Sequence, residues 1–416
     1  MNTASNRFAQ VVSSALVLMS LGSAHAAALR AFYADPQMLA EAKARFATND
    51  ASLKSAFDKL FSDADKALKT APVSVTDKKK TPPSGSKHDF VSQAPYFWKD
   101  TNSANGRYIR KDGERNPESN VDSDAGRIGK MSSSVSSLAL AFYFSGKEEY
   151  AAHATKFLRV WFLDSATRMN PSLDFGQGIP GQVDGRPEGV LQTRGLVEVV
   201  DAIGLLKDSK SWTAKDQEGM EAWATKYLDW LTTSKIGRGE GNAANNHGTH
   251  YDVQVTSLAL FVGKTDEATK IVETARQKRV AKQVERDGKQ PLELARTTSF
   301  GYSLFNLRAL MDLASLGKNS SVDLWHFQTS DGRSIRKALE FLTPYADPSK
   351  KWPYQQIHEA NRDSLGEMLL RAAAEYPDEQ FSQALKFFPA DELASSRTRL
   401  LFKTAKLDST STPSSH

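Results

Sequence analysis

Apolar residues recur three and four apart along nearly the whole chain, and strand-like alternation bounded by hairpin turns is scarce, which predicts an all-α fold. Asp35-Pro36 joins a capping residue to a proline suited to a first turn, so a helix is expected to run toward Phe46. A second should span Ala51 to Leu68, followed by a loop over 72–92 that contains Pro82-Pro83-Ser84-Gly85. Helices then resume over 133–144, 148–163 and 189–206. Thr213 and Asp216 have capping-box spacing, and the helix after them sets Trp223, Tyr227, Trp230 and Leu231 on one stripe, read as core rather than as a sugar platform. Later helices are expected from near Tyr251, over 265–286, from Tyr302 through Leu316, and as about three shorter pieces between Ile335 and Phe388.

Consecutive helix pairs separated by long loops describe an (α/α) toroid, either an incomplete (α/α)6 or an (α/α)7 barrel, with no internal repeat to fix the number of pairs. In such a barrel the loops build the cleft. Long loops in a compact domain are usually functional, and here they cover 93–127, 168–188, 238–250 and 287–301.

The N-terminus reads as an export signal, with Arg7, an apolar run from Val11 to Leu21, and Ala24-His25-Ala26 as a small-x-small cleavage site. That run is too short and too interrupted by serine to span a bilayer, and no later segment approaches eighteen uninterrupted apolar residues, so no membrane insertion is expected. The expected organisation is a signal over 1–26, one catalytic domain over 27–407, and a disordered Ser/Thr/Pro tail over 408–416. The mature chain should be a periplasmic or secreted monomer. Loss of Arg7 with no acid lowers the formal net charge from +5 to +4. The one tight basic run, Lys78-Lys79-Lys80, reads as a solvated loop cluster, and nucleic acid is not indicated. A modest positive balance suits a polyanionic partner. The absence of cysteine excludes disulfides and thiolate metal sites.

The most informative stretch is Asn245-Asn246-His247-Gly248-Thr249-His250-Tyr251-Asp252, which puts two amides and two imidazoles where a Gly-rich loop enters a helix. Asn-Asn-His followed by an aromatic resembles the signature of the alginate lyases with an (α/α) toroid fold. Glu293-Leu294-Ala295-Arg296, running on to Phe300-Gly301-Tyr302-Ser303-Leu304-Phe305-Asn306-Leu307, is similar to that family's Arg and Tyr segment. The likeness extends from about residue 88 to 357 through Ala94-Pro95-Tyr96-Phe97-Trp98, Tyr108-Ile109-Arg110-Lys111-Asp112-Gly113, Gln177-Gly178-Ile179-Pro180-Gly181 and Trp352-Pro353-Tyr354. The resemblance implies a polysaccharide lyase with Asn246, His247, Arg296 and Tyr302 as functional residues. Better-known mannuronate lyases of the family carry a serine and an aromatic soon after the histidine. This chain has Gly248-Thr249-His250, which implies a sister branch with its own uronan preference, mannuronate-rich alginate standing ahead of glucuronan.

Elementary chemistry asks for the same residue types. In a 1,4-linked uronan the C5 proton is weakly acidic, because the C6 carboxylate resists the further negative charge of an enolate. Asn246 can donate to one carboxylate oxygen, while Arg296 or a protonated His247 supplies charge. In mannuronate and glucuronate H5 and O4 lie on one side, so one phenol, Tyr302, can serve as base and acid if a cation such as Arg296 lowers its pKa from roughly 10. His247 can act from the opposite face, as guluronate requires. Tyr96, Trp98 and Tyr108 are candidates to stack on sugar rings, and Gln177, Arg186 and Arg110 to hold hydroxyls or carboxylates. His250 and Asp252 read as a cap or as the groups that orient His247, with His250 also a candidate for substrate contact. On its own, Tyr302 would head a helix whose Leu304, Phe305 and Leu307 look like core.

Other readings are open. His247, His250 and Asp252 fit a metal poorly, since the zincin pattern requires a Glu after the first His and a longer step to the second; no metal or other cofactor is expected. A toroid glycoside hydrolase would need two carboxylates, for which Asp124, Asp184 and Glu188 are available. A noncatalytic uronan-binding protein would need the arginines and aromatics but not the phenol.

Overall fold

The computed structural model describes residues 29–407; the expected export signal and the tail over 408–416 lie outside the described residues. Helices α1 (Pro36–Ala47) and α2 (Lys54–Leu68) come first. A long loop then carries strands β1 (Val91–Gln93), β2 (Phe97–Lys99) and β3 (Tyr108–Arg110) before α3 (Asp124–Ser145) and α4 (Glu148–Leu158). Strand β4 (Phe175–Gly178) precedes α5 (Leu196–Leu205), α6 (Ala214–Thr233), α7 (Lys235–Gly241) and α8 (Asn246–Phe261). Next come α9 (Thr265–Ala275), continued by a π turn into α10 (Ala281–Gln283), then α11 (Pro291–Leu294) and α12 (Ser299–Gly317). The last helices are α13 (Ile335–Leu342), α14 (Asp363–Glu375), α15 (Glu379–Ala384), α16 (Ala390–Ser395) and α17 (Thr398–Leu401).

Helices α3, α5, α8 and α12 pack side by side in that order as an inner ring, with α14 following on α12. Outside them α2 and α4 lie on α3, α6 and α9 on α8, and α13 on α12. Burial explains this sorting. The inner helices α8 and α12 are buried around most of their circumference, whereas α2 buries the stripe Phe57, Leu60, Ala64 and Ala67, and α9 buries Ala268, Val272 and Ala275. Two concentric layers of paired helices make an (α/α) toroid, as expected.

The helix starts differ from the sequence reading in an instructive way. α3 begins at Asp124 rather than Ser133, and α8 at Asn246 rather than near Tyr251. The first turns of both helices border the cleft, with Gly126, Gly129 and Lys130 exposed on α3 and polar residues at the start of α8, so no apolar stripe marks either start. Asn245 caps α8 by accepting from the His247 backbone N–H at 3.3 Å, which fixes Asn246 and His247 in its first turn. The expected caps at Asp35 and at Thr213/Asp216 are both present. Trp223, Tyr227 and Leu231 are core, as expected, while Trp230 sits at the edge and donates to Asp174. The short strands escaped notice because three or four residues carry no usable alternation; β1 pairs parallel with β4, and β2 antiparallel with β3.

One expectation is overturned at Lys78. Its ammonium is not solvated but buried, 2.9 Å from the Asp124 carboxylate, and it also donates to the carbonyls of Val75 and Lys87. Burial pushes the Lys78 pKa down and that of Asp124 up, while the pairing and the Val91 N–H hold both charges in place. The contact ties the loop before β1 to the start of α3. Lys78→Ala leaves a buried carboxylate without its main partner, and we expect it to destabilise the fold by about 3 kcal/mol. A denaturant midpoint unchanged from wild type would disprove that role.

Candidate active site

The mouth and axis of the toroid open into one cleft of about 1380 Å³, lined by loops and by the inner faces of α3, α5, α8 and α12. Six arginines line it, Arg110, Arg115, Arg186, Arg194, Arg296 and Arg308, against four carboxylates, Glu188, Glu198, Glu240 and Asp312. Guanidinium groups present planar forks that match carboxylates, so this wall suits a polyanion.

Helix α8 supplies the first part of the candidate site. His247 lines the cleft, and its Nδ1 lies 2.6 Å from Glu240 Oε1 at the end of α7. A carboxylate on Nδ1 sets the ring orientation and leaves Nε2 for a ligand. Glu240 is 1% exposed, and burial raises its pKa, offset in part by the His247 bond. Asn246 is fully buried beneath the wall; its backbone N–H and its Nδ2 each donate to Glu293 at 2.7 Å. Its amide keeps a second N–H, and its Oδ1 has no partner.

The π turn after α9 explains why the loop before α8 holds its shape. It delivers the buried guanidinium of Arg279, which grips Asp252 at 2.7 and 3.0 Å and also donates to the carbonyls of Gly241 and Ala243. A Cβ at Gly248 would collide with the Ala243 carbonyl and with Arg279. Any side chain at this position would have to displace the clamp. Asp252 therefore neither caps nor orients His247. Nor does His250, whose Nε2 is buried and unpartnered; the orienting group is Glu240. Among the described residues no cluster of side chains suited to a metal ion is present.

The second part comes from α11, α12 and the loop after β3. Arg296 Nη2 donates to Tyr302 Oη at 2.7 Å, and Tyr302 donates to Tyr96 Oη at 2.9 Å. The guanidinium also grips Asp112 with Nε and Nη2 at 2.6–3.1 Å, and Asp112 accepts from the Thr297 backbone N–H. Glu293 links the two halves, since it holds Asn246 and stands one helical step before Arg296. The expected lowering of the Tyr302 pKa is not found. Burial raises it, as does the hydrogen bond with Tyr96, and Arg296 does not compensate because Asp112 already balances its charge. The phenol is protonated in the unliganded protein.

Among the candidate substrate contacts, Tyr96, Arg110, Gln177, Arg186 and His250 line the cleft. Gln177 donates to the Glu188 carbonyl, and Arg186 pairs with Glu188 and lies 4.9 Å from the Phe97 ring. Trp98 and Tyr108 are not among the lining residues; Trp98 donates to the Glu114 carbonyl and Tyr108 to the Glu118 carboxylate, both at the outer hairpin of β2 and β3. Phe305, which looked like core, faces the cleft instead. The carboxylates considered for a hydrolase do not face one another: Asp124 is buried in its ion pair, Asp184 is exposed outside the cleft lining, and Glu188 is paired with Arg186.

Comparison with known proteins agrees with this fold. The family model described as alginate lyase matches residues 74–352. An alginate lyase from Bacteroides ovatus is 41% identical, with 90% of this chain and 99% of that chain covered and a TM-score of 0.85. An alginate lyase from Sphingomonas species A1 shares the fold at 15% identity and a TM-score of 0.58, covering 91% and 98% of the two chains. A histidine variant of that enzyme, solved in complex with a tetrasaccharide, matches at 17% identity and a TM-score of 0.59, again covering 91% of this chain and 98% of that one. No curated protein matches the chain. Fold and cleft together define a polysaccharide lyase of the helical-toroid class. More narrowly, the chain belongs to the alginate lyase family.

Proposed function

We propose that this lyase cleaves a 1,4-linked uronan by β-elimination, with mannuronate-rich alginate as its first substrate. The carrying observation is the chain of contacts from Asp112 through Arg296 and Tyr302 to Tyr96, set beside the Glu240–His247 pair in one arginine-lined cleft. In the reaction the C5 proton passes to the base, C4=C5 forms, the C4–O4 bond breaks, and O4 takes a proton. Arg296 and His247 neutralise the C6 carboxylate as charge develops on it, and the buried Asn246 adds its second N–H once the wall over it opens toward the substrate. Tyr302 acts as base and then acid for mannuronate or glucuronate, and His247 Nε2 is the base for guluronate. On this reading the protein works as an exported monomer in the periplasm or outside the cell.

The experiment is an ultraviolet assay for unsaturated uronate across polymannuronate, polyguluronate, glucuronan and hyaluronan. Absorbance should rise fastest on polymannuronate. Release of reducing ends without absorbance would mean hydrolysis, and binding without either would mean a carbohydrate-binding protein.

The raised phenol pKa makes a pH prediction. A base must lose its proton before it acts, so kcat should climb with pH on the alkaline side. Asp112→Asn removes the charge that balances Arg296, strengthens the pull of the guanidinium on Tyr302, and should move that rising limb to lower pH. A limb that stays in place, or moves upward, would contradict the coupling.

A further inference from the structure

Three residues along an α-helix advance about 4.5 Å and return to nearly the same face. His250 stands at that step after His247 on α8, and Phe305 after Tyr302 on α12, so the two make a second rung one turn deeper in the toroid. Their rings meet with centroids 4.0 Å apart, and both line the cleft. His250 is 6% exposed and its Nε2 has no partner, although a buried polar atom normally finds one. Burial, with the charges of Arg194 and His247, pushes its pKa down to about 3, so the imidazole is neutral and offers a hydrogen bond rather than a charge.

Arg194, just before α5, completes the rung. Its guanidinium carbon lies 5.7 Å from the Phe305 centroid. The side chain is exposed toward the cleft, donates only a 3.3 Å bond to the Leu191 carbonyl, and forms no ion pair among the described residues. Arg110, Arg186, Arg296 and Arg308, by contrast, each already hold a carboxylate, and Arg115, which likewise lacks one, donates to Asn120 and has no aromatic ring of the rung beside it. A guanidinium in the cleft that feels Glu198 nearby but makes no ion-pair contact with it keeps donors free for an anion.

We infer that Arg194, Phe305 and His250 form a second uronate-binding subsite, one sugar removed from the bond that is cut. Arg194 takes the carboxylate and Phe305 packs on the apolar face of the ring, with the neutral His250 imidazole stacked against Phe305 to hold it in place. The identity of the sugar rests on the proposed function; the site itself rests on the Arg194 guanidinium that no carboxylate pairs, set over Phe305 in the cleft. The polymer is thus held by two carboxylates, one neutralised for chemistry and one read for position.

A contact made equally in ground and transition states raises KM when lost and leaves kcat nearly alone. For Arg194→Gln on polymannuronate we expect KM to rise roughly 10- to 100-fold while kcat falls less than about threefold. Arg194→Lys, which keeps a point charge without the fork, should fall between. Titration calorimetry with tetramannuronate should show the same weakening, and a thermal melt confirms that each variant is folded. A folded Arg194→Gln protein with unchanged KM and tetramannuronate affinity would overturn the subsite, as would a fall confined to kcat. Should wild type bind tetramannuronate yet release no unsaturated product from any uronan, the reaction assignment fails, and a loss of affinity in Arg194→Gln still upholds the subsite.

Discussion

Tyr302→Phe is expected to lower kcat on polymannuronate by about 10⁴-fold, the upper end for removal of a general acid–base group, because in the proposed reaction one hydroxyl performs both proton transfers. Binding should be almost untouched. The ring stays against Arg296, whose guanidinium carbon lies 3.7 Å from its centroid, and Asp112 still grips that guanidinium. Stopped assays for unsaturated product, paired with calorimetry on tetramannuronate, separate the two effects. A variant retaining a tenth of wild-type turnover would remove the phenol from the reaction.

Glu293→Gln is expected to cost about 10² to 10³ in kcat, comparable to losing one preorganised donor at a developing charge. Glu293 touches no substrate on this account and is a positioning residue. Its two oxygens accept the Asn246 backbone N–H and Nδ2, each at 2.7 Å, and a glutamine amide would turn an N–H toward one of those donors. Asn246 would then rotate or settle unpaired in a fully buried place. A merely structural role predicts lower stability with normal kcat; the expected signature is a large fall in kcat with a modest change in KM. Normal turnover in the folded variant would show that the Asn246 amide needs no such anchor.

Much of the fold was legible because outer helices such as α2 and α9 carry their stripes openly, and because Asp35 and Thr213 are strong start signals. Inner helices α3 and α8 hide their first turns because those turns border the cleft and carry glycine or polar residues in place of an apolar stripe. The four proposed reaction residues stood out by type and by family likeness, and the structure brings His247, Arg296 and Tyr302 to one cleft with Asn246 directly beneath. The acids behind them were missed. Glu240, Glu293 and Asp112 lie within or beside the stretches singled out, yet spacing points instead to Asp252 as the acid that orients His247 and to Asp124, Asp184 and Glu188 as a hydrolase's carboxylates. The work of the first three is to orient an imidazole, an amide and a guanidinium, and no spacing rule announces a partner that is distant in sequence, as Asp112 is from Arg296. Arg194 and Phe305 escaped because only the tertiary arrangement shows that one has no acid and the other no core to enter.

The helices that carry His247 and Tyr302 begin at the wall of the cleft, with Asn245 and Thr298 lining it just ahead of α8 and α12. Aligned peptide dipoles leave roughly half a positive charge at such ends, and this field belongs to the backbone, so no side-chain substitution erases it. Stripping the six arginines from the cleft would therefore not produce a surface indifferent to charge. Attempts to convert this scaffold to neutral glycans would have to work against the direction in which its innermost helices run.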